Sequence, residues 1–191
     1  ALMIEEALGP AIEKGEFELY FQPELSADGK RLVCVEALLR WNRGDLGVLT
    51  PDEFIPVAES LHQIVPLGQW VLDSAMTQLA RWRANGWHDA RVAVNLSSNQ
   101  FRSPDFVDSV LAALQRHGLT GASLELELTE RMLMGNDPAM QLALTRLRDA
   151  GITLAIDDFG TGFSSLSRLR TLPVETLKID QSFVRELPAS A

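Results

Sequence analysis

The stretch ITLAIDDFG, residues 152–160, is a short apolar run that ends in two adjacent acidic residues. A run of this length, followed by polar residues and a glycine, is typical of a buried β-strand. The carboxylates of Asp157 and Asp158 come directly after the run. Buried carboxylates need a cation or hydrogen-bond donors, so this strand end is a candidate binding site.

The same arrangement recurs in both directions along the chain. LVCVE (32–36) ends in Glu36, VAVN (92–95) ends in Asn95, LELEL (124–128) contains Glu127, and TLKI (176–179) contains Lys178. Each acid alone would also fit a helix cap or a salt bridge, but oxygen ligands at successive strand ends favour a hard cation. In parallel barrels these ends build the active site. The pattern predicts a Mg²⁺ or Mn²⁺ centre with a lysine beside it, which is typical of phosphate-ester chemistry.

Alternation within the strands favours a barrel over an open doubly wound sheet. Successive side chains of a strand point to opposite faces. The candidate ligands therefore share their faces with small or polar residues, namely Cys34, Ala93, Ala155 and Thr176. The other faces carry valine, leucine and isoleucine. A narrow barrel interior below a polar rim would have this composition. Glu125, below Glu127, is expected to need a partner if it is buried.

Helix signals separate most of these strands. They predict a helix from Pro51 to Glu59, one over residues 67–84 that stops at Gly86, one capped by Ser103 with Pro104 at its first position, one opened by Asn136 or Asp137, and a short one near residues 166–169. Alternating strands and helices imply a mostly parallel sheet covered by helices. Six strands are visible, which fits an open sheet or part of a (β/α)₈ barrel.

Composition limits the classes of function. The 191 residues, 46% of them apolar, predict one domain, and the net charge of −9 argues against nonspecific binding to nucleic-acid polymers. The single cysteine, Cys34, excludes an internal disulfide and fits a reducing cytoplasm. We find no apolar run of transmembrane length and no signal-peptide pattern. The sequence therefore predicts a soluble, cytoplasmic chain without membrane contact.

Seven segments together resemble the EAL family of cyclic di-GMP phosphodiesterases, in family order and across nearly the whole chain. They are YFQPE (20–24), EALLRW (36–41), TPDEFIPVAE (50–59), VAVNLS (92–97), LELTE (126–130), IDDFGTGFSSLSRL (156–169) and LKIDQSFV (177–184). The resemblance implies an α/β fold, a TIM-like (β/α)₈ barrel whose first strand runs antiparallel to the others. It also implies hydrolysis of cyclic di-GMP to linear pGpG in bacterial second-messenger signalling.

The resemblance assigns roles to matching residues. Glu36, Asn95, Glu127 and Asp157 would hold one Mg²⁺ or Mn²⁺, and Asp157 would bridge to a second ion that Asp158 also binds. Lys178 would orient or help to deprotonate the attacking water, so that Glu36, Asp158 and Lys178 are the expected catalytic residues. Gln22 and Arg40 match substrate-binding positions. Glu130 would brace the loop of residues 158–166, through which the family also forms homodimers.

The family's later segments carry a further metal-binding glutamate and a substrate-binding glutamine. Because these segments do not occur in residues 1–191, we expect one EAL domain that lacks its last strands and helices. The alternative interpretation is a non-catalytic cyclic di-GMP receptor or an inactive fragment. The domain would also fit as part of a larger, membrane-anchored signalling protein.

Overall fold

The computed structural model of the chain describes residues 2–44, 46–133, 137–160 and 172–185. Within these residues the core is one seven-stranded sheet with helices packed against it. The strands are β1 (Phe17–Leu25), β2 (Leu32–Arg43), β3 (Gly47–Leu49), β4 (Val92–Asn95), β5 (Leu124–Thr129), β6 (Thr153–Phe159) and β7 (Thr176–Ile179). The helices are α1 (Leu2–Ala11), α2 (Pro51–Ser60), α3 (Ile64–Ala84), α4 (Ser98–Phe101), α5 (Phe106–Arg116), α6 (Pro138–Asp149) and α7 (Gln181–Arg185), with 3₁₀ turns at Gly121–Ser123 and Glu130–Leu133.

The strand order is β1-β2-β4-β5-β6-β7, and β3 pairs with β2 outside this path. The strands β2, β4, β5, β6 and β7 are parallel, whereas β1 and β3 run antiparallel to β2. Strands β1 and β2 are antiparallel because the tight turn at residues 26–31 joins them, and in this turn Gly29 adopts a φ of 68°. The antiparallel first strand that the resemblance implied is therefore present.

The register shifts in one direction along the sheet, by two, zero and two residues at successive steps, as a barrel requires. Glu36 pairs with Ala93, two residues before Asn95; Asn95 pairs with Glu127; and Asp157 pairs with Thr129, two residues after Glu127. This is a stagger of four residues over three strand-to-strand steps, close to the roughly one residue per step of a TIM barrel. The stagger places polar residues from different strands at a common height.

The core lies between the outer face of the sheet and the long helices. Its apolar side chains from the strands are Val92, Val94, Leu126, Leu128, Leu154 and Ile156, all almost inaccessible to solvent. Helix α3 contacts β1 and β4, and α6 contacts β6. Local signals set the helix ends: the Glu53 carboxylate accepts from the Thr50 N–H at 2.7 Å, and Asp137 accepts from the Ala139 N–H at 3.0 Å.

Three sequence-based interpretations need correction. The helix expected from Ser103 and Pro104 begins at Phe106, because residues 98–101 already form α4, capped by Ser97, and residues 103–106 form a turn between the helices. The apolar face of the strand around Lys178, expected to be covered by helices like the other apolar faces, is exposed at Leu177 and Ile179. Strand β3 and helix α1 were not anticipated. The expected helix near residues 166–169, and Asn136 as a cap, lie outside the described residues.

Over the residues that the structure describes, no helix combines the length and the apolar character needed to span a membrane.

Candidate metal and phosphate-ester site

Lys178 lies at the centre of three carboxylates from three strands. Its Nζ atom is 2.5 Å from Glu24 Oε1 and 3.4 Å from Glu36 Oε2, and it also contacts Glu127 Oε1. One oxygen from each of these glutamates lies within 4.8 Å of the others, which is a spacing that could hold a metal ion. One ammonium therefore faces three carboxyl groups, which are more acidic groups than a single cation can pair.

Asn95 and Glu127 supply oxygen atoms that suit a hard cation. The Asn95 amide donates from Nδ2 to Glu36 Oε1 at 2.8 Å, which leaves its carbonyl oxygen as an acceptor. Glu127 is 1% exposed, and within the described part of the chain its Oε2 atom has no hydrogen-bond partner. A buried carboxylate oxygen without a donor is costly, so a cation bound at this position would satisfy it. The residues present thus fit a divalent metal ion.

A β-bulge explains how two consecutive acids can serve one site. Ile156 pairs with Leu177 and Phe159 pairs with Ile179, so Asp157 and Asp158 together oppose the single residue Lys178. Asp158 has a φ of 53°, a left-handed conformation that is uncommon for a non-glycine residue. Without the bulge their side chains would point to opposite faces. Instead both aspartates line one cavity of about 480 Å³.

The turn that follows the bulge is held from two sides. Glu130, almost completely buried, accepts a hydrogen bond from the Gly160 N–H at 3.2 Å. Gly160 has a φ of 102°, and a Cβ atom at this position would lie 2.7 Å from the Phe183 ring. Only glycine fits both conditions without strain. The carboxylate of Glu130 therefore contacts the first part of the 158–166 loop, and residues 161–166 lie outside the described residues.

The two expected substrate-binding residues lie on the same sheet face as Glu36. Gln22 is paired directly with Glu36 and is exposed. Arg40 lies four residues beyond Glu36 on β2, donates from Nη1 to the Leu39 carbonyl at 2.8 Å, and stacks over the Tyr20 ring at 5.6 Å. The 480 Å³ cavity, which Leu38, Asp52 and Asn95 also line, adjoins this face. Its size is in the range of small-molecule sites.

Burial and charge shift the pKa values of this group in opposite directions. Burial raises the pKa of Glu127 to about 8; its hydrogen bond to Lys178 opposes this increase, and the carboxylates of Glu36 and Asp157 add to it. For Lys178, burial disfavours the charge, but the hydrogen bonds to Glu127 and Glu24 outweigh burial and raise its pKa. Lys178 is therefore a firmly charged ammonium. Partial burial and the neighbouring Asp157 also raise the pKa of Asp158.

Sequence reasoning missed two acids at this site. Glu24 follows Gln22 by two residues within β1, so strand alternation places both on one face, and Asp180 follows Lys178 by two residues, one position past the end of β7. Asp180 shares a hydrogen bond with the Asp158 carboxyl group, and its backbone N–H donates to the Phe159 carbonyl at 3.4 Å. Both could have been found by extending the alternation argument one position further.

A second group of possible ligands lies below the first. Glu24, Cys34 and Glu125 each place one ligand atom within 4.8 Å of the others. Burial raises the pKa of the Cys34 thiol to about 12, so the thiol stays protonated and is a poor metal ligand. Glu125, 1% exposed, finds the expected partner in Arg91, whose Nη2 atom is 3.7 Å away. This lower group is therefore part of the packed interior.

Replacing Glu130 with alanine is expected to increase hydrogen exchange at the Gly160 amide about tenfold or more. The reason is that a hydrogen bond to a charged group contributes about 1.5–3 kcal/mol, and this amide donates to Glu130. Mass spectrometry of metal-free protein measures the exchange. Glu59→Ala is the matched control. Glu59 and Glu130 both line a second cavity, which also reaches Asp158. Unchanged protection of the 158–160 segment in Glu130→Ala would contradict the bracing role.

Comparisons with known proteins agree with this architecture. The profile of the EAL domain matches residues 5–191. The chain is 43% identical over 186 residues to the bifunctional diguanylate cyclase/cyclic di-GMP phosphodiesterase MucR of Pseudomonas aeruginosa, covering 97% of this chain and 27% of MucR. It is 42% identical over 189 residues to the cyclic di-GMP phosphodiesterase NbdA of the same organism, covering 99% of this chain and 24% of NbdA. The chain thus spans about a quarter of the length of these relatives.

Solved structures show the same fold. The MucR phosphodiesterase in complex with c-di-GMP superimposes with a TM-score of 0.93 at 42% identity, covering 98% of this chain and 76% of that chain. The EAL enzyme Bd1971, in its form bound to cAMP and cyclic di-GMP, superimposes with a TM-score of 0.90 at 34% identity, covering 99% and 52% of the two chains. These similarities confirm the expected α/β, TIM-like fold class.

Proposed function

This chain belongs to the EAL domain family, and we propose that it hydrolyses cyclic di-GMP to linear pGpG with the help of a divalent metal ion. The observation that carries the proposal is the convergence of Glu36, Glu127, Asn95 and Lys178 at neighbouring strand ends. The similarity to MucR, whose solved structure is a c-di-GMP complex, supports the choice of substrate.

The metal would be Mg²⁺ or Mn²⁺, held by oxygen ligands from the strand ends. We assign Glu36, Asn95, Glu127 and Asp157 to one ion, and Asp157 and Asp158 to a second. The bulge supports the second assignment, because it brings both aspartates to one cavity. Ions bound here would stabilise the charges of the attacking and leaving oxygens in an in-line displacement. Two cations would also offset the negative charges of the substrate.

The chain's own residues would bind and orient the substrate and the attacking water. Arg40 suits a phosphate oxygen, because its guanidinium group offers several parallel N–H donors, and Gln22 is exposed beside Glu36. Lys178 keeps its proton in the described arrangement, so we assign it to orient the water as a hydrogen-bond donor. Glu36 and Asp158 would act in catalysis through the metal ions that they hold.

The direct test is incubation with cyclic di-GMP and Mg²⁺, followed by chromatography for pGpG. The assay is run on residues 1–191 and on the longest open reading frame that contains them, with EDTA as the control. Formation of pGpG that EDTA abolishes is the expected result. If equilibrium dialysis shows that the protein binds cyclic di-GMP but chromatography finds no pGpG, the enzymatic proposal is wrong and the alternative, a non-catalytic receptor, is favoured.

Cation binding is expected to strengthen as the pH rises from 6 toward 8. Burial raises the pKa of Glu127 to about 8, so at pH 7 this carboxyl group carries a proton that a bound cation must displace. The affinity for Mn²⁺ should therefore increase by up to about tenfold per pH unit and level off above pH 8. Titration calorimetry in two buffers of different ionisation enthalpy measures the proton release. An affinity that is constant across this range would contradict the prediction.

We also propose that the protein acts in the cytoplasm and forms a homodimer through the region 158–166. The exposure of Asp158 and Gly160 supports this region, since a contact there would lie next to the bulge at Asp157 and Asp158. Sedimentation equilibrium with and without Mg²⁺ and nucleotide tests the assembly. A monomeric mass under both conditions would contradict the dimer.

A further inference from the structure

Glu24 is a close partner of Lys178, although none of the assigned roles involves it. Its Oε1 atom lies 2.5 Å from Lys178 Nζ, against 3.4 Å for Glu36. Glu24 pairs with Cys34, so it lies two residues below Glu36 along the face of β2. It is also the member of the carboxylate group that comes from the antiparallel strand β1 rather than from the end of a parallel strand. Glu24 thus approaches the ammonium from a different direction.

Lys178 and a bound metal ion would compete for the same oxygens. In the described arrangement the ammonium contacts both Glu36 and Glu127, which are the ligands proposed for the metal. Two cations that share these carboxylates would repel each other at short range. Metal binding therefore requires Lys178 to move away from Glu36 and Glu127. Because the Lys178 side chain is only 17% exposed, its ammonium needs another anion when it moves.

We propose that Glu24 is a positioning residue that retains Lys178 when a metal ion takes Glu36 and Glu127. The inference rests on the metal centre of the proposed function. Lys178 would exchange three carboxylate partners for one, and it would stay beside the site to orient the attacking water. Without Glu24, the ammonium would remain on Glu36 and Glu127 and oppose metal binding. Glu24 is then coupled to the metal through Lys178 and not through direct ligation.

A double-mutant cycle on Mn²⁺ affinity tests this coupling. Calorimetry without nucleotide compares wild type, Glu24→Gln, Lys178→Met and the double variant. We expect Glu24→Gln to weaken binding about tenfold, as is common for residues that orient metal ligands. Lys178→Met should bind at least as tightly as wild type, and the double variant should match Lys178→Met. Glu18→Gln, an exposed acid on the same face of β1, is the charge-matched control and should have little effect.

Two outcomes of the mutant cycle would overturn the inference. If Glu24→Gln weakens binding equally with and without Lys178, then Glu24 acts as a direct ligand or by charge alone. If neither the wild type nor any variant binds Mn²⁺, the metal centre of the proposed function fails together with the inference. If the protein binds Mn²⁺ and the effects of Glu24→Gln and Lys178→Met on affinity are additive, the inference alone is refuted. A crystal structure with Mn²⁺ provides a second measurement that does not depend on the folding of Lys178→Met. It should show Lys178 on Glu24, and a Glu24 oxygen bound to Mn²⁺ would contradict the proposal.

Discussion

Replacing Glu36 with glutamine is expected to lower the hydrolysis of cyclic di-GMP at least about 100-fold. Residues that only orient metal ligands typically contribute about 10–100-fold, and Glu36 is proposed to bind the ion directly. Glutamine keeps the shape of the side chain and an oxygen that can accept from Asn95 Nδ2, now 2.8 Å from Glu36 Oε1. The substitution therefore removes the negative charge and leaves the packing in place.

The free energy of unfolding should change by less than about 1 kcal/mol in Glu36→Gln, as expected for a partly exposed position. Rates of pGpG formation, metal affinity and urea unfolding are measured on the same preparations. Glu6→Gln, which removes one charge from the exposed face of α1, is the control and should retain full activity. Normal turnover in Glu36→Gln, in a protein whose wild type is active, would exclude Glu36 from the metal centre.

Replacing Lys178 with methionine is expected to destabilise the metal-free protein by about 3–5 kcal/mol at pH 8.5, because removing one partner of a buried ion pair leaves the other uncompensated. The loss should be smaller at pH 5.5. Glu127 has a folded-state pKa of about 8 against an ordinary value of 4.5, so the folded state holds its proton more tightly than the unfolded state. Stability from this group is complete below pH 4.5 and is lost as the pH rises toward 8. Without the ammonium, this loss continues to higher pH.

Urea unfolding in EDTA at the two pH values measures the effect of Lys178→Met. Excess Mg²⁺ should recover much of the lost stability, since a cation that binds only the folded state stabilises it. Lys30→Met, an exposed lysine in the β1–β2 turn, should cost less than about 0.5 kcal/mol. An equal effect of Lys178→Met at both pH values would show that Glu127 does not respond to the ammonium.

Much of this site could be predicted from short local patterns. Apolar runs with period-two alternation predicted that Glu36, Asn95, Glu127 and Lys178 lie on the inner face, and the structure brings them together. This inference works because parallel strands align their carboxyl ends at one edge of the sheet. Helix signals such as Asp137 before Pro138 were sufficient to predict where a helix begins, because a cap depends on atoms only a few residues apart.

Other features depend on contacts between distant residues, and only the tertiary structure decided them. The bulge at Asp157 and Asp158 exists because β7 pairs with both sides of it, and no local pattern specifies that pairing. The approach of Glu24 to Lys178 joins residues 154 positions apart, and the brace from Glu130 to Gly160 spans 30. Sequence alone determined which residue types occupy the strand ends, because alternation and capping are local. The folded sheet decided which of them touch, because its stagger and curvature set the distances between strands.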